Sequence, residues 1–453
     1  MILDLNFVYQ TLGRVLSTAN APVVKISTDS RQPQDGCVFF ALQGERFDAH
    51  DFVADVLTKN PLAVVVREDF PLNDERLIKV QNTQKALADL AHAWRMAINP
   101  TVFGITGSSG KTTVKEMLTC ILRYAAGAEK VWATQGNFNN EIGLPLTLLQ
   151  LTEQHQYAVI EMGMNHFGEL SRLTRIACPD VALVNNAQRV HIGCGFDGVA
   201  DIARAKSEIY EGLSDQGIGI YPAEDQYAEV FKSAISHKRA VSFGLNRGDI
   251  FAREIKLAPL SSEFVLHIEG QAQTMSLPVA GRHNISNALA AVSLALQVGI
   301  SLENCAKALA GFQNIKGRLQ QKVAQNGAKL IDDTYNANPD SMRSAIDVLV
   351  QFPAPQILVM GDLGELGDTA PQLHAEVGDY ARLSGVTYFF TLGELSEYAA
   401  KSYGPSAKHF ADVDMLVAAV RALSDDKTTV LVKGSRFMKM ERVVEALTAP
   451  CGS

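Results

Sequence analysis

Val102-Phe-Gly-Ile-Thr-Gly-Ser-Ser-Gly-Lys-Thr-Thr113 is the stretch on which the reading of this chain turns. Its apolar start has the character of a buried strand, and the strand runs into a short glycine-hinged loop ending in Lys111 and Thr112 at a helix start. A loop of this kind cradles phosphate. Gly107 and Gly110 let the backbone N–H groups of the loop, which also holds Ser108, Ser109 and Thr113, close on phosphate oxygens; Lys111 brings a cation, and the Thr112 hydroxyl can face magnesium. Val114, Met117, Leu118, Ile121 and Leu122 recur at helical spacing behind it. The usual G-x-x-x-x-G-K spacing would need glycine at 105, where this chain has Ile105, so the match is to a shorter Thr-Gly-x-x-Gly-Lys-Thr form. Use of a nucleoside triphosphate is the first implication.

Outward from that loop, short apolar runs at 102–106, 157–162 and 181–185 alternate with helical stretches, which predicts a parallel sheet covered on both faces. Upstream, β-like runs at 38–42 and 63–66 separated by polar turns predict a small mixed domain. Downstream, runs at 329–331, 356–360, 387–391 and 429–432 repeat the alternation. Their polar ends, Asp332-Asp333-Thr334, Gly361-Asp362, Gly393 and Lys433-Gly434-Ser435, should share one sheet edge, where open α/β sheets bind ligands. The segment 311–317, flanked by glycines, reads as a hinge. The expected class is α/β with three domains, at 1–98, 99–314 and 315–453.

Composition sets the outer bounds. A chain of 453 residues with 47% hydrophobic content is an ordinary globular one, and its net charge of −8 gives no electrostatic reason to expect nucleic acid. The six cysteines lack metal-ligand spacing and read as reduced thiols. The N-terminus has no basic region before its apolar residues, and the longest apolar run, 288–300, is too short to span a bilayer. The expectation is a cytoplasmic monomer with no membrane span.

Several side chains can carry chemistry. Glu161 ends an apolar strand run, so its carboxylate should emerge beside the phosphate loop as a magnesium ligand. Lys206 shares a helical face with Ile202, Ile209 and Leu213. A lysine so placed either snorkels to water or, desolvated, keeps a nucleophilic amine that could take up carbon dioxide and become an anionic metal ligand. His191, in the polar loop 185–197, could reach a metal or be ordinary surface. Asn137, Asn139 and Asn140 crowd amides suited equally to turns and to substrate. In the first domain, Ser27-Thr-Asp-Ser-Arg31 and Gly44-Glu-Arg-Phe-Asp-Ala-His50 combine hydroxyls, cations and an aromatic, as a nucleotide diphosphate and its base would require, or are simply polar loops.

Taken together, these residues resemble the Mur ligase family over nearly the whole chain. Thr106-Gly-Ser-Ser-Gly-Lys-Thr-Thr113 is similar to the family's ATP loop, including its spacing, and further marks are Gly136-Asn-Phe-Asn-Asn140 with Gly143 and Pro145, Glu161-Met-Gly-Met-Asn165, Ala205-Lys-Ser-Glu-Ile209 and Gly281-Arg-His-Asn-Ile-Ser-Asn287. Asp332-Asp-Thr-Tyr-Asn-Ala-Asn-Pro-Asp-Ser-Met342 resembles the signature of members that add D-alanyl-D-alanine to UDP-N-acetylmuramoyl tripeptide. The Asp-Asn-Pro-Arg motif of the diamino-acid-adding members is absent, and folylpolyglutamate synthase shares the loop but lacks the Tyr-Asn-Ala-Asn-Pro run. The resemblance implies a UDP-sugar-binding first domain, a central ATP-binding domain and a C-terminal Rossmann-like ligase domain. It implies ATP and two magnesium ions, with Thr112 and Glu161 on the metal and Lys206, carbamylated, joining His191 on the second ion. By the same resemblance His283, Asn284 and Asn287 lie near adenine; Arg318, Asp333 and Tyr335 close on the γ-phosphate and ribose; and Ser30, Arg31, Phe47 and His50 hold the UDP-sugar. A phosphate-loop kinase and a nucleotide-switched binding protein remain as rivals.

Overall fold

The computed structural model describes residues 2–44, 47–190, 192, 195–235 and 238–448. Sheets of four, nine and six strands follow one another along the chain. The first is wholly parallel: Lys25–Ser27, Cys37–Phe40, Ala63–Arg67 and Leu77–Val80 pair in that order. Alternation along its inner strands feeds two cores, with Val38, Phe40 and Val65 on one face and Phe39, Val64 and Val66 on the other. Helix Thr83–Ile98 closes this unit. Asn82 caps its start by accepting from Lys85 N at 2.8 Å, and Asn99 ends it in the left-handed region at φ 52°. The same helix is seated in the next unit, where Trp94 Nε1 donates to Leu151 O at 2.9 Å and buried Arg95 donates to the carbonyls of Ala177 and Cys178 at 2.8 Å each.

Seven strands of the central sheet are parallel, in the order Val131–Ala133, Tyr157–Glu161, Thr101–Thr106, Val181–Val184, Ile218–Pro222, Arg239–Gly244 and Ile250–Ala258. From Thr101–Thr106 the chain runs outward to the edge at Val131–Ala133, returns beside its starting strand, then crosses to the other side. The order therefore reverses at Thr101–Thr106, and a crevice opens at its carboxyl end. Ser261–Ile268 and Gln271–Leu277 extend the sheet antiparallel, an extension the strand–helix alternation did not predict. Their alternating buried and solvent-facing positions are those of a sheet with one wet face.

Helices Lys111–Ala126, Arg282–Leu296 and Leu302–Ala310 cover one face of the central sheet; Thr83–Ile98, Gly143–Leu148, Glu169–Ala177 and Val199–Ser207 cover the other. The apolar run at 288–300 falls largely in Arg282–Leu296, which is buried almost all round because it lies in the core. Among the described residues no helix is long and apolar enough to cross a membrane.

In the third sheet Gln320–Val323 lies antiparallel to Lys329–Asp333, after which Thr429–Lys433, Gln356–Gly361, Tyr388–Leu392 and Ala407–Phe410 follow in parallel. Helices Pro339–Leu349, Ala370–Leu383 and Ser396–Tyr403 pack on one side; Val413–Leu423 and Glu441–Thr448 pack on the other. The polar strand ends at 332–334, 361–362, 393 and 433–435 do lie at one edge. Asp362 Oδ1 accepts from Ser396 N at 2.7 Å, and Ser435 Oγ both donates to Ala337 O at 3.0 Å and accepts from Gly364 N at 2.8 Å.

Candidate active site

The phosphate loop leaves Thr101–Thr106 at the crevice and enters helix Lys111–Ala126 through Gly110, whose φ of 78° favours glycine. Space demands glycine there too, since a Cβ on Gly110 would sit 2.4 Å from Asn287 Oδ1 and 2.5 Å from Asn185 Nδ2, and one on Gly107 would sit 2.9 Å from Asn185 Cβ. The helix forms because Val114, Met117, Leu118, Ile121 and Leu122 put a fully buried stripe on the sheet. Its open amino end then faces the crevice with a positive dipole and free N–H groups.

Around the loop the described residues form a polar layer. Asn185 Nδ2 donates to Ser109 O and to Asn287 Oδ1, both at 3.0 Å, and Asn287 Nδ2 donates to Asn284 Oδ1 at 3.2 Å. Ser109 N donates to Asn186 Oδ1 at 2.9 Å, and Ser109 Oγ donates to Gln188 Oε1 at 2.6 Å. Lys111 Nζ is folded back onto Gly107 O at 2.8 Å. Glu161 is buried at its strand end and accepts from Thr112 Oγ1 at 2.9 Å on one oxygen and from Asn139 Nδ2 at 2.8 Å on the other. Thr134 fixes its backbone, Oγ1 accepting from Glu161 N at 2.9 Å, while Thr134 O accepts from buried Lys115 at 2.6 Å.

The C-terminal domain reaches the same place. Arg318 Nη2 donates to Thr112 Oγ1 at 3.0 Å, and its guanidinium stacks 4.4 Å from the centre of the Tyr335 ring, while its buried Nε has no partner among the described residues. Asp333 holds the next turn in place. Its Oδ1 accepts from Leu319 N at 3.1 Å, and its Oδ2 accepts from buried Lys433 Nζ at 2.6 Å. Between the two domains lies a cavity of about 480 Å³, large enough for a nucleotide-sized ligand.

Of the residues singled out from the sequence, Ser108, Ser109, Gly110, Lys111, Thr112, Thr113, Asn139, Glu161, His283, Asn284, Asn287, Arg318, Asp333 and Tyr335 all line that cavity. Lys206 does not line it; the side chain is buried on a helix whose Ile202, Ala203 and Ala205 are buried too, and its ammonium makes no hydrogen bond or ion pair among the described residues. Burial, helped by the nearby Lys111 charge, holds the Lys206 amine well below the usual lysine range. The buried reading of that lysine therefore describes this fold, and the snorkelling one does not. Burial likewise lowers Lys111, against a partly restoring Glu161. The partly exposed His283 ring is pushed by burial down to about 4. His191 lies outside the described residues.

Asn140 acts as a turn amide, its Oδ1 accepting from Gly143 N at 2.8 Å and Ile142 N at 3.2 Å, while Asn137 is exposed beside it. Ser30, Arg31, Phe47 and His50 lie on the first domain, away from the cavity. Arg31 is exposed and paired with Asp29 at 2.8 Å, Phe47 is 76% exposed, and Ser30 O accepts from Lys59 at 2.7 Å. His50 faces inward: Nδ1 meets Asp48 Oδ1 at 2.6 Å and Nε2 accepts from Arg67 N at 3.0 Å, so both ring nitrogens serve the fold. Asn185, Asn186 and Gln188 were not assigned to the site from sequence, and Lys433 was placed only at the ligand-binding sheet edge. For the first three, the available signal was a run of amides directly after a buried strand.

Comparisons with known proteins agree with this geometry. The family model described as Mur ligase middle domain matches residues 105–295, and that described as Mur ligase, glutamate ligase domain matches residues 317–436. The UDP-N-acetylmuramoyl-tripeptide--D-alanyl-D-alanine ligase of Haemophilus influenzae is 41% identical over 442 residues, covering 96% of each chain, and that of Escherichia coli is 38% identical over 440 residues, again covering 96% of each. Among solved structures, MurF from Acinetobacter baumannii superposes with a TM-score of 0.91 at 37% identity over 99% of both chains. MurF ligase from Thermotoga maritima in complex with ADP gives 0.84 at 26% identity, over 94% of this chain and 97% of that one. With two family models covering the phosphate loop, Glu161, Lys206, Arg318 and Lys433, and with relatives matched end to end, this chain belongs to the Mur ligase family.

Proposed function

We propose that this chain joins D-alanyl-D-alanine to UDP-N-acetylmuramoyl-tripeptide with cleavage of ATP to ADP and phosphate, completing the pentapeptide precursor of peptidoglycan. One observation carries the reading: the phosphate loop of one domain and Arg318, Asp333 and Tyr335 of the next face a single cavity, linked by the Arg318–Thr112 contact. The names of the relatives matched end to end supply the substrates. The limits 1–98, 99–314 and 315–453 then divide the chain into UDP-sugar, ATP and ligase domains.

A carboxylate does not condense with an amine in water, because oxide would have to leave. In the proposed reaction the terminal carboxylate of the tripeptide attacks the γ-phosphorus of ATP, the bond to the β-phosphate oxygen breaks, and ADP departs from an acyl phosphate. The free N–H groups at the helix amino end bind the phosphates, those of Ser108 and Ser109 being held by Asn186, while Lys111, released from Gly107 O, and Arg318 stabilise negative charge on the transferring group. The amine of D-alanyl-D-alanine then attacks the acyl carbon, loses a proton and expels phosphate. Walls from two domains exclude the water that would hydrolyse the intermediate.

The donor set suits magnesium, since Thr112 and Glu161 offer hard oxygens at the phosphate end of the cavity. Those two would hold one ion, and Lys206, once carbamylated, would serve a second with His191. Such ions supply charge neutralisation at the terminal phosphates. A buried amine held neutral, with no partner among the described residues, is the form that takes up carbon dioxide. On the first domain, exposed Phe47 and Arg31 are the proposed stacking and phosphate contacts for the UDP-sugar, with Ser30 beside them, and His50 supports the loop from within.

The test is mass spectrometry of ATP-dependent joining, with phosphate release followed in parallel and a diamino acid as rival acceptor. One phosphate per new amide bond is expected. Product with the diamino acid alone, or a phosphorylated product without free phosphate, overturns the assignment. Lys206→Ala should be nearly inactive and partly rescued by short carboxylates; full activity would remove Lys206 from the site.

A further inference from the structure

Arg189 belongs to the central domain, yet its side chain is held by the next one. Its N and Nη2 donate to Asp340 at 3.2 and 2.6 Å, and Nη1 donates to Glu376 Oε2 at 2.9 Å, an oxygen that also accepts from Arg343 at 3.1 Å. The Arg189 and Asp340 side chains are only 26% and 25% exposed. A charge-assisted fork of this kind is stronger than an ordinary surface pair.

The chain just before Arg189 grips the phosphate loop. Ser108 N donates to Asn186 O at 3.1 Å, Gln188 N donates to Ser108 Oγ at 2.9 Å, and Ser109 bonds both Asn186 and Gln188. On the other side, Asp340 opens helix Pro339–Leu349 directly after cavity residues Tyr335 to Asn338. Arg189, Asp340 and Glu376 do not themselves line the cavity. A single short segment thus holds the phosphate loop at one end and the opposite wall at the other.

We propose that Arg189 is a positioning residue, an electrostatic clasp that couples the phosphate loop to the C-terminal domain and keeps the two walls of the nucleotide cavity together. The inference rests on reading that cavity as the ATP site. Because its groups are partly exposed, salt should weaken it. Arg189 touches no reacting atom, so its loss should act on nucleotide binding and not on the chemical step.

The test uses the full chain. Small-angle scattering without nucleotide should show a larger radius of gyration for Arg189→Ala and for Glu376→Gln than for the parent. The KM for ATP should rise about tenfold in Arg189→Ala with kcat within about twofold, and added KCl should raise KM in the parent more than in the variant. Arg189→Asp combined with Asp340→Arg should recover part of the loss. Unchanged scattering and unchanged KM in an Arg189→Ala protein that melts with the parent would overturn the clasp; so would a fall in kcat at constant KM. Were the ligase assay negative with every acceptor, a changed radius of gyration would still support the clasp.

Discussion

Two buried lysines, one on a helix of the central domain and one at a strand end of the C-terminal domain, are treated in opposite ways. Lys433, at the end of a C-terminal strand, is matched: Asp333 receives it at 2.6 Å and Asn336 O at 2.9 Å. Lys206, in the central domain, has no partner among the described residues and shares its surroundings with Lys111, so burial and a like charge both act against its ionised form. The matched pair is architecture, which fixes the strand end carrying Asp333. The unmatched lysine carries a burial cost that its neutral form lessens, and that cost falls on stability. Stability should therefore fall when Lys433 is replaced and rise when Lys206 is.

The sharpest break of that contrast is Lys433→Met, which strands Asp333 in a buried site and should cost about 3–5 kcal/mol in urea unfolding; a loss under about 1 kcal/mol would show the pair to be dispensable. Next, Lys111→Ala should lower kcat by about 10²–10³-fold in a phosphate-release assay with little change in melting, because its cation, once released from Gly107 O, meets the transferring phosphoryl group. Smaller is the pH response of His283. Its ring stays neutral in the fold down to about 4, whereas the unfolded ring titrates near 6.5, so between those values the unfolded chain binds the extra proton. Stability should fall by about 2 kcal/mol as pH drops through that window, allowing for the ring's partial exposure, and His283→Gln should flatten the curve. The smallest effect carries the most information: Lys206→Met, measured without ligand or bicarbonate, should gain about 1 kcal/mol of stability even as joining activity is lost. A destabilised variant would show that Lys206 is satisfied after all.

What sequence made legible follows from how local the signals are. The phosphate loop, Glu161 at its strand end and Lys206 in its apolar stripe depend on spacing within one element, and burial bears out that local reading at Ile202, Ile209 and Leu213 as well. The collected strand ends of the third sheet were legible for the same reason. The antiparallel extension at 261–277 was not, because polar residues on its wet face dilute any apolar period. Nor was the inward turn of His50, which depends on Asp48 and on Arg67 one strand away. The Arg189 clasp spans 151 residues to Asp340 and 187 to Glu376 and leaves no mark that a single sequence could reveal.

Gly110, wedged between two amide side chains, has a kinetic meaning. A loop with no room for even one extra carbon is a mould cast during folding, and a triphosphate meets it finished except for the swing of one lysine. Little ordering entropy is left to lose on arrival. Capture should accordingly proceed at a pace set by diffusion and by the pull of charge, with discrimination among nucleotides expressed in how long each one stays.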